Sequence, residues 1–214
     1  MKALLFDLDG TLLDTIRDLA SAVNHTEKAY GYPTHSVDDV CRMVGNGIRS
    51  LMAAATPGGE ANPQFEDIMA EFRTYYGAHK LDTTAPYEGI PEMLAALKAA
   101  GYPIAIVSNK IDSAVRGLAD MFFPEIAVAI GEREGIPRKP APDLVHLAMR
   151  ELGAEDAYFI GDSEVDIATA QNAGLRCLSV TWGFRSEETL RAAGGEHFFA
   201  TPRLLTEYLL GEAK

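Results

Sequence analysis

Short apolar runs alternate with amphipathic segments along the second half of the chain. After residue 89 each run ends at Gly, Ser, Asn or Asp, and a segment of helical period separates it from the next run. Apolar strands separated by helices are typical of a parallel sheet that helices cover on both faces. The pattern therefore predicts a doubly wound α/β core. Its five strands are ALLFDL at the N-terminus, PIAIVS, IAVAIG, AYFIG and RCLSVTW.

The first two predicted strands are separated by more chain than one crossover helix needs. The first ends near Leu8 and the second begins near Ile104, which leaves roughly 70 residues in excess. The excess chain has helical period, with one apolar stripe formed by Phe65, Ile68, Met69, Phe72 and Tyr76. We predict a small helical cap domain over residues 15–85, inserted into a core formed by residues 1–14 and 86–214.

The charge of the chain limits its partners. A net charge of −12 and a pI near 4.8 disfavour nucleic acid and anionic membranes, because both attract basic surfaces. Cys41 and Cys177 fit no disulfide or metal-binding pattern. We see no leader segment and no apolar stretch of about 18 residues. The expectation is a cytoplasmic protein with neither nucleic-acid nor membrane partners; the oligomeric state stays open.

Polar residues follow several predicted strands at the point where each strand ends. The carboxyl ends of parallel strands meet at one edge of a sheet, where ligands bind in open α/β folds. Buried carboxylates at such an edge are usually paired, hydrogen-bonded or bound to a metal ion. A lysine lies nearby, in GIPRKPAPD just ahead of a helix. The candidate residues are Asp7, Asp9, Ser108, Asn109, Lys139 and Asp162.

Each motif also has a simpler interpretation by itself. DLDGT is compatible with a plain turn, and Ser108 with Asn109 is compatible with a helix cap. Ser163 and Asp166 have the spacing of a capping box, and Lys139 could be a solvated charge on a turn. The consistent placement of all of them at strand ends favours a functional site.

The four motifs DLDGT, SN, K-P-x-P-D and GDSEVD occur in this order, with a helical insertion after the first. The chain resembles the haloacid dehalogenase superfamily in its phosphatase branch, over essentially its whole length. With VGNG included, it is most similar to the phosphoglycolate phosphatase group. The resemblance implies a five-stranded parallel core in which the first and fourth strands are neighbours, which would bring Asp7 and Asp162 together.

The resemblance also implies a chemistry, Mg²⁺-dependent phosphomonoester hydrolysis through an aspartyl-phosphate. Asp7 would be the nucleophile, and an ionised carboxylate needs no base to activate it. Asp9 would protonate the leaving alcohol and then activate water. The metal ligands would be Asp7, Asp162 and the backbone carbonyl of Asp9. Asp166 is either a supporting residue behind these ligands or only a helix cap.

The same resemblance assigns phosphate binding to residues of the core. They are Gly10, Ser108, Asn109 and Lys139, of which Lys139 supplies positive charge. In the cap, the glycine turn in VGNGIRS precedes Arg49. That side chain could bind a distal carboxylate or phosphate of the substrate, or it could be an ordinary surface arginine.

The expected substrate is a small phosphorylated metabolite, with phosphoglycolate as a candidate. Asp9 favours phosphoester chemistry over dehalogenation. A sugar phosphomutase would share all four core motifs and would return the phosphoryl group to its substrate. A phospho-accepting signalling module also combines an Asp acceptor, acidic Mg²⁺ ligands and a Lys, but it needs neither a large insertion nor an acid/base at Asp9.

Overall fold

The computed structural model describes residues 2–212, and it divides into two compact units. One is formed by the chain up to Leu13 and from Pro86 onward; the other is Asp14–Ala85. We refer to them as the core unit and the inserted unit. In chain order the strands are β1 (Ala3–Phe6), β2 (Leu13–Asp14), β3 (Ala85–Pro86), β4 (Ile104–Ile111), β5 (Val128–Glu132), β6 (Ala157–Gly161), β7 (Arg176–Val180) and β8 (Phe198–Phe199).

A six-stranded sheet forms the centre of the core unit. Its strands lie in the order β5-β4-β1-β6-β7-β8, and each neighbouring pair is parallel. The predicted α/β fold is confirmed, and so is the neighbour relation between β1 and β6, the first and fourth predicted strands. The sixth strand, β8, was not predicted because a run of two residues is too short to show a hydrophobic period. The two short strands β2 and β3 pair with each other, and the unit boundaries fall within them.

Ten helices accompany these strands within residues 2–212. They are α1 (Ile16–Ala29), α2 (Val37–Met43), α3 (Gly47–Ala55), α4 (Phe65–His79), α5 (Ile90–Ala99), α6 (Asp112–Phe122), α7 (Asp143–Leu152), α8 (Glu164–Asn172), α9 (Glu187–Ala192) and α10 (Pro202–Glu212). A short 3₁₀ turn, Gly59–Ala61, precedes α4. No helix of this described part is long and apolar enough to cross a membrane.

The sheet is covered by apolar layers on both faces because side chains alternate along each strand. On one face Leu4, Phe6 and Ile106 pack in a cluster that includes residues of α5, α6 and α10. On the other face Leu5 and Phe159 pack in a cluster that includes residues of α7 and α8. The core is therefore a three-layer arrangement in which the ends of the central strands remain available for a site.

The inserted unit consists of α1 to α4. The predicted apolar stripe of α4 is confirmed: all five of its residues are buried. α2 begins with a complete capping box between Ser36 and Asp39, which satisfies free amides at the helix start.

Asp18, in the first turn of α1, is an acid buried inside the inserted unit. Its carboxylate accepts hydrogen bonds from the amide and hydroxyl groups of Thr83 and Thr84, at 2.6–3.1 Å. These threonines directly precede β3, so the carboxylate joins the two ends of the inserted segment. Burial raises the pKa of Asp18, but the four donor groups outweigh it and hold the pKa below its ordinary value.

We expect Asp18→Asn to destabilise the protein by about 1–3 kcal/mol, because an amide cannot accept all of these bonds. The folded-state pKa of Asp18 is lowered, so its stabilising effect is present above the ordinary pKa of 3.8 and is lost as pH falls through the lower folded value. Thermal unfolding at neutral and strongly acidic pH measures this. Asp38→Asn, at an exposed acid of α2, is the matched control; equal effects of the two variants would contradict the prediction.

Candidate active site

The end of β1 and the end of β6 lie side by side. Phe6 is in register with Ile160, and the Asp7 amide donates to the Ile160 carbonyl at 2.8 Å. Asp162 follows directly after β6. The parallel pairing thus brings Asp7 and Asp162 to one edge of the sheet, across 155 positions of sequence.

Three carboxylates meet at this edge. Asp7, Asp162 and Asp166 each place one carboxylate oxygen within 4.8 Å of the others. Asp162 is held by two donors, the Thr11 hydroxyl at 2.9 Å and the Phe184 amide at 2.8 Å. The arrangement is a compact, buried set of oxygen ligands that could bind a metal ion.

Lys139 lies between two of these acids. Its ammonium is 2.9 Å from a carboxylate oxygen of Asp7 and 2.8 Å from one of Asp166, and the side chain is only 2% exposed. The Lys139 carbonyl accepts a hydrogen bond from the Asn109 side-chain amide at 2.9 Å. Lys139 and Asn109, predicted to act at one site, are therefore in direct contact.

Asp166 has two functions in the structure, which sequence reasoning left as alternatives. One of its oxygens pairs with Lys139, while the other accepts from the Ser163 amide at 3.0 Å and the Ser163 hydroxyl at 2.6 Å. It is thus both a capping residue of α8 and an ion-pair partner. Because it links the Lys139 ammonium to the start of α8, Asp166 fits a supporting role beside Asp7 and Asp162.

Glycines allow the loops of the site to approach each other closely. Gly10 has a φ of +85°, and a Cβ there would overlap the Asp162 carboxylate. A Cβ on Gly183 would overlap the Gly10 carbonyl. Next to it, the Trp182 indole donates to the Thr11 carbonyl at 2.9 Å. Trp182 therefore fixes the loop after β1.

Asp9 pairs with a residue that sequence reasoning missed. The Lys110 ammonium lies 3.0 and 3.2 Å from the two oxygens of the Asp9 carboxylate. Both side chains are largely buried, with 6% of Lys110 and 14% of Asp9 exposed. The available signal was a lysine directly after the SN motif at the end of an otherwise apolar strand, a position where an unpaired charge would be costly.

Ser108 and Asn109 lie at the end of β4, next to β1 in the sheet. The Ser108 hydroxyl accepts from the Lys110 amide at 3.2 Å. The pairing between β4 and β5 shifts register between Val107 and Ile111, over the stretch that contains these residues. Such irregularities redirect side chains near functional sites, and here Ser108, Asn109 and Lys110 are all buried.

Crowding of the acids changes their proton affinities. Burial raises the pKa of Asp7 to about 7, with Asp166 and Asp9 adding to the rise and Lys139 opposing it. Burial, Asp166 and Asp7 also raise the pKa of Asp162 well above its ordinary value. For Lys139, burial lowers the pKa, but Asp166 and Asp7 outweigh burial and raise it overall. Lys139 is therefore a permanent cation at neutral pH.

The charges of the site leave room for a divalent cation. The carboxylates of Asp7, Asp9, Asp162 and Asp166 face the ammonium groups of Lys110 and Lys139. With all six groups ionised, two negative charges remain. A bound divalent cation would neutralise this excess, so the residues present fit such an ion.

Arg49 belongs to the inserted unit, in the first turn of α3. Its guanidinium pairs with Glu60 at 2.9 Å and Glu66 at 2.8 Å, and it lies over the Phe65 ring. These contacts support the surface-arginine alternative. A contact of Arg49 with substrate stays a prediction.

Comparison with known proteins agrees with this geometry. A family model described as "Haloacid dehalogenase-like hydrolase" matches residues 4–180. The chain belongs to this family. The motif-based prediction is thereby confirmed, and with it the predicted hydrolase class.

Curated relatives match most of the chain. A phosphoglycolate phosphatase of Colwellia psychrerythraea is 34% identical, with 94% of this chain and 93% of the relative covered. An N-acetylmuramic acid 6-phosphate phosphatase of Pseudomonas aeruginosa is 32% identical, with 98% and 95% covered.

A solved structure is similar throughout. It is a provisionally named phosphoglycolate phosphatase of Lactobacillus delbrueckii, with a TM-score of 0.90, 33% identity and 97% of each chain covered.

Proposed function

We propose that the protein is a Mg²⁺-dependent phosphomonoesterase that acts on a small phosphorylated metabolite, with 2-phosphoglycolate as the leading candidate. The observation that carries the proposal is the ion pair between Asp7 and Lys139 within a cluster of three carboxylates. A nucleophilic carboxylate repels a phosphate ester unless positive charge lies beside it, and here the charge is built into the fold. The names of both curated phosphatase relatives support the reaction class, and the name of the Colwellia psychrerythraea relative supports 2-phosphoglycolate as the substrate.

The proposed first step joins Asp7 to phosphorus. A carboxylate oxygen of Asp7 attacks the phosphoryl group, the bond to the ester oxygen breaks, and Asp9 gives that oxygen a proton. Lys139 neutralises charge on Asp7 and on the transferring phosphoryl group. Ser108 and Asn109 donate hydrogen bonds to the phosphoryl oxygens, and Gly10 leaves space for the Asp162 carboxylate beside the site.

The proposed second step restores the enzyme. Asp9, now ionised, accepts a proton from water, which attacks the aspartyl-phosphate and releases inorganic phosphate. Mg²⁺ would be held by Asp7, Asp162 and the backbone carbonyl of Asp9, and it would neutralise negative charge on the phosphate group. Asp166 would keep Lys139 in place.

We expect inorganic phosphate to be released from 2-phosphoglycolate with Mg²⁺ present and not after chelation by EDTA. A panel with 2-phosphoglycolate, N-acetylmuramic acid 6-phosphate and glucose 1-phosphate tests the substrate class. Added Mg²⁺ should also raise the melting temperature of the wild type, since a ligand of the folded state stabilises it. Asp162→Asn should weaken this rise.

The alternatives predict other products. Isomerisation of glucose 1-phosphate without phosphate release would indicate the mutase. A phospho-Asp7 that persists for minutes without turnover would indicate the signalling module. Phosphate release that is indifferent to Mg²⁺ would overturn the metal assignment.

A further inference from the structure

Lys110 and Asp9 form a further buried ion pair of the site, and the proposed reaction gives Lys110 no role. Its ammonium contacts both oxygens of Asp9, at 3.0 and 3.2 Å. A charge-assisted contact to both oxygens restricts the position of a carboxyl group and the direction in which it points. Asp9 is thus held in one orientation by a residue 101 positions away in sequence.

The backbone of Lys110 is itself fixed. Its amide donates to the Ser108 hydroxyl at 3.2 Å. A Cβ on Gly131 would overlap both the Lys110 carbonyl and the Asp112 backbone. β5 therefore lies in close contact with the chain where β4 ends and α6 begins. The Asp112 side chain accepts from the Gly131 amide at 2.9 Å and from the Arg133 guanidinium at 2.8 Å. The backbone that carries the Lys110 side chain is therefore held in place by its neighbours.

We propose that Lys110 is a positioning residue that holds the Asp9 carboxyl in the orientation needed to protonate the leaving oxygen. The inference rests on the proposed function, in which Asp9 is the acid. Proton transfer requires the donor within hydrogen-bond reach of the acceptor, and a misoriented carboxyl loses much of its effect. If Lys110 only neutralised the buried Asp9 carboxylate, its removal would lower the rate by the same factor for every leaving group.

The two roles differ in how they depend on the leaving group. An alkoxide needs a proton in order to leave, whereas 4-nitrophenolate leaves readily without one. Loss of the positioned acid should therefore slow alkyl phosphates far more than 4-nitrophenyl phosphate. The relevant quantity is kcat/KM, because it covers the steps up to departure of the leaving group.

The experiment compares Lys110→Met, Lys110→Arg and Asp9→Asn with the wild type, on 4-nitrophenyl phosphate, ethyl phosphate and 2-phosphoglycolate. We expect Lys110→Met to lower kcat/KM for both alkyl phosphates by about 10- to 100-fold more than for the aryl phosphate. Lys110→Arg should recover part of the loss, since a guanidinium can also engage both oxygens. Melting temperatures report whether each variant folds.

Each other outcome overturns a distinct part of the proposal. A loss in Lys110→Met that is equal for all three substrates would make the residue structural only. A loss confined to 2-phosphoglycolate would mean that Lys110 binds the carboxylate of the substrate instead. If Asp9→Asn itself shows no dependence on the leaving group, the assignment of Asp9 as the acid fails, and with it the premise of this proposal. Absence of phosphate release by the wild type would instead overturn the proposed function. If Lys110→Met does not fold, Lys110→Arg decides alone. A partial loss that is larger for both alkyl phosphates than for the aryl phosphate supports the proposal, and an equal loss for all three substrates overturns it.

Discussion

Asp7→Asn is expected to lower kcat/KM for 4-nitrophenyl phosphate by a factor on the order of 10⁴ or more, because an amide cannot form the acyl-phosphate and loss of a nucleophile has effects of this size. The fold should survive the change. Initial rates of phosphate release, with and without Mg²⁺, measure the loss. Asp7→Ala serves as a second variant, since it cannot revert to the acid by deamidation.

The stability of Asp7→Asn should not fall together with its activity. Burial raises the folded-state pKa of Asp7 from 3.8 to about 7, so ionisation of this group costs stability as pH rises through that interval. In metal-free buffer above about pH 7, Asp7→Asn should therefore melt no lower than the wild type. An inactive variant that melts far below the wild type would point to misfolding, and one that keeps a tenth of the activity or more would refute the nucleophile.

Lys139→Met is expected to lower activity and stability together. The ammonium is the buried partner of both Asp7 and Asp166, so its removal leaves two acids without their cation. Breaking a buried pair in this way costs about 3–5 kcal/mol. We expect a fall in kcat of roughly 10³-fold in addition, since charge stabilisation of this kind supplies several kcal/mol in active sites. Chemical denaturation and steady-state kinetics are the measurements.

The loss of stability in Lys139→Met should depend on pH in a definite direction. The pKa of Lys139 is raised, so its charge is present throughout the range below its ordinary value of 10.5. Asp7 loses its charge as pH falls through its raised pKa, about 7. The stability difference from the wild type should thus be larger near pH 8 than near pH 5. Lys98→Met, at an exposed lysine of α5, is the control, and an effect as large there would contradict the assignment.

The parts of the fold that follow from periodicity were predictable. β6 spans the predicted AYFIG run, and α4 buries the predicted stripe, because burial of one face is what creates the pattern. The short elements β2, β3 and β8, with two residues each, are too short to show a period and form through tertiary pairing. The helix α9 was also missed, and its six residues include one buried apolar side chain, Leu190.

For the candidate site, the proximity of Asp7 and Asp162 was predictable, and the lysine partner of Asp9 was not. Asp7 and Asp162 were found because strand ends converge in a parallel sheet. The pair between Lys110 and Asp9 was missed, since it depends on side-chain direction at a register shift in β4. Asp166 could not be assigned because a capping box and an ion pair use the same carboxylate, and only three-dimensional distances reveal both contacts.

The central position of β1 has a consequence for synthesis of the protein. β1 is made first, yet its partners on either side, β4 and β6, lie on the far side of the inserted segment. Leu5 pairs with Ala105 on one side and Phe159 on the other, and neither pair can form until those residues have been synthesised. Contacts between residues far apart in sequence slow folding. A domain can reach its native structure only after its last strand has been translated. During translation, a ribosome-bound chain that ends before residue 157 therefore carries the proposed nucleophile but lacks the strand that completes its surroundings.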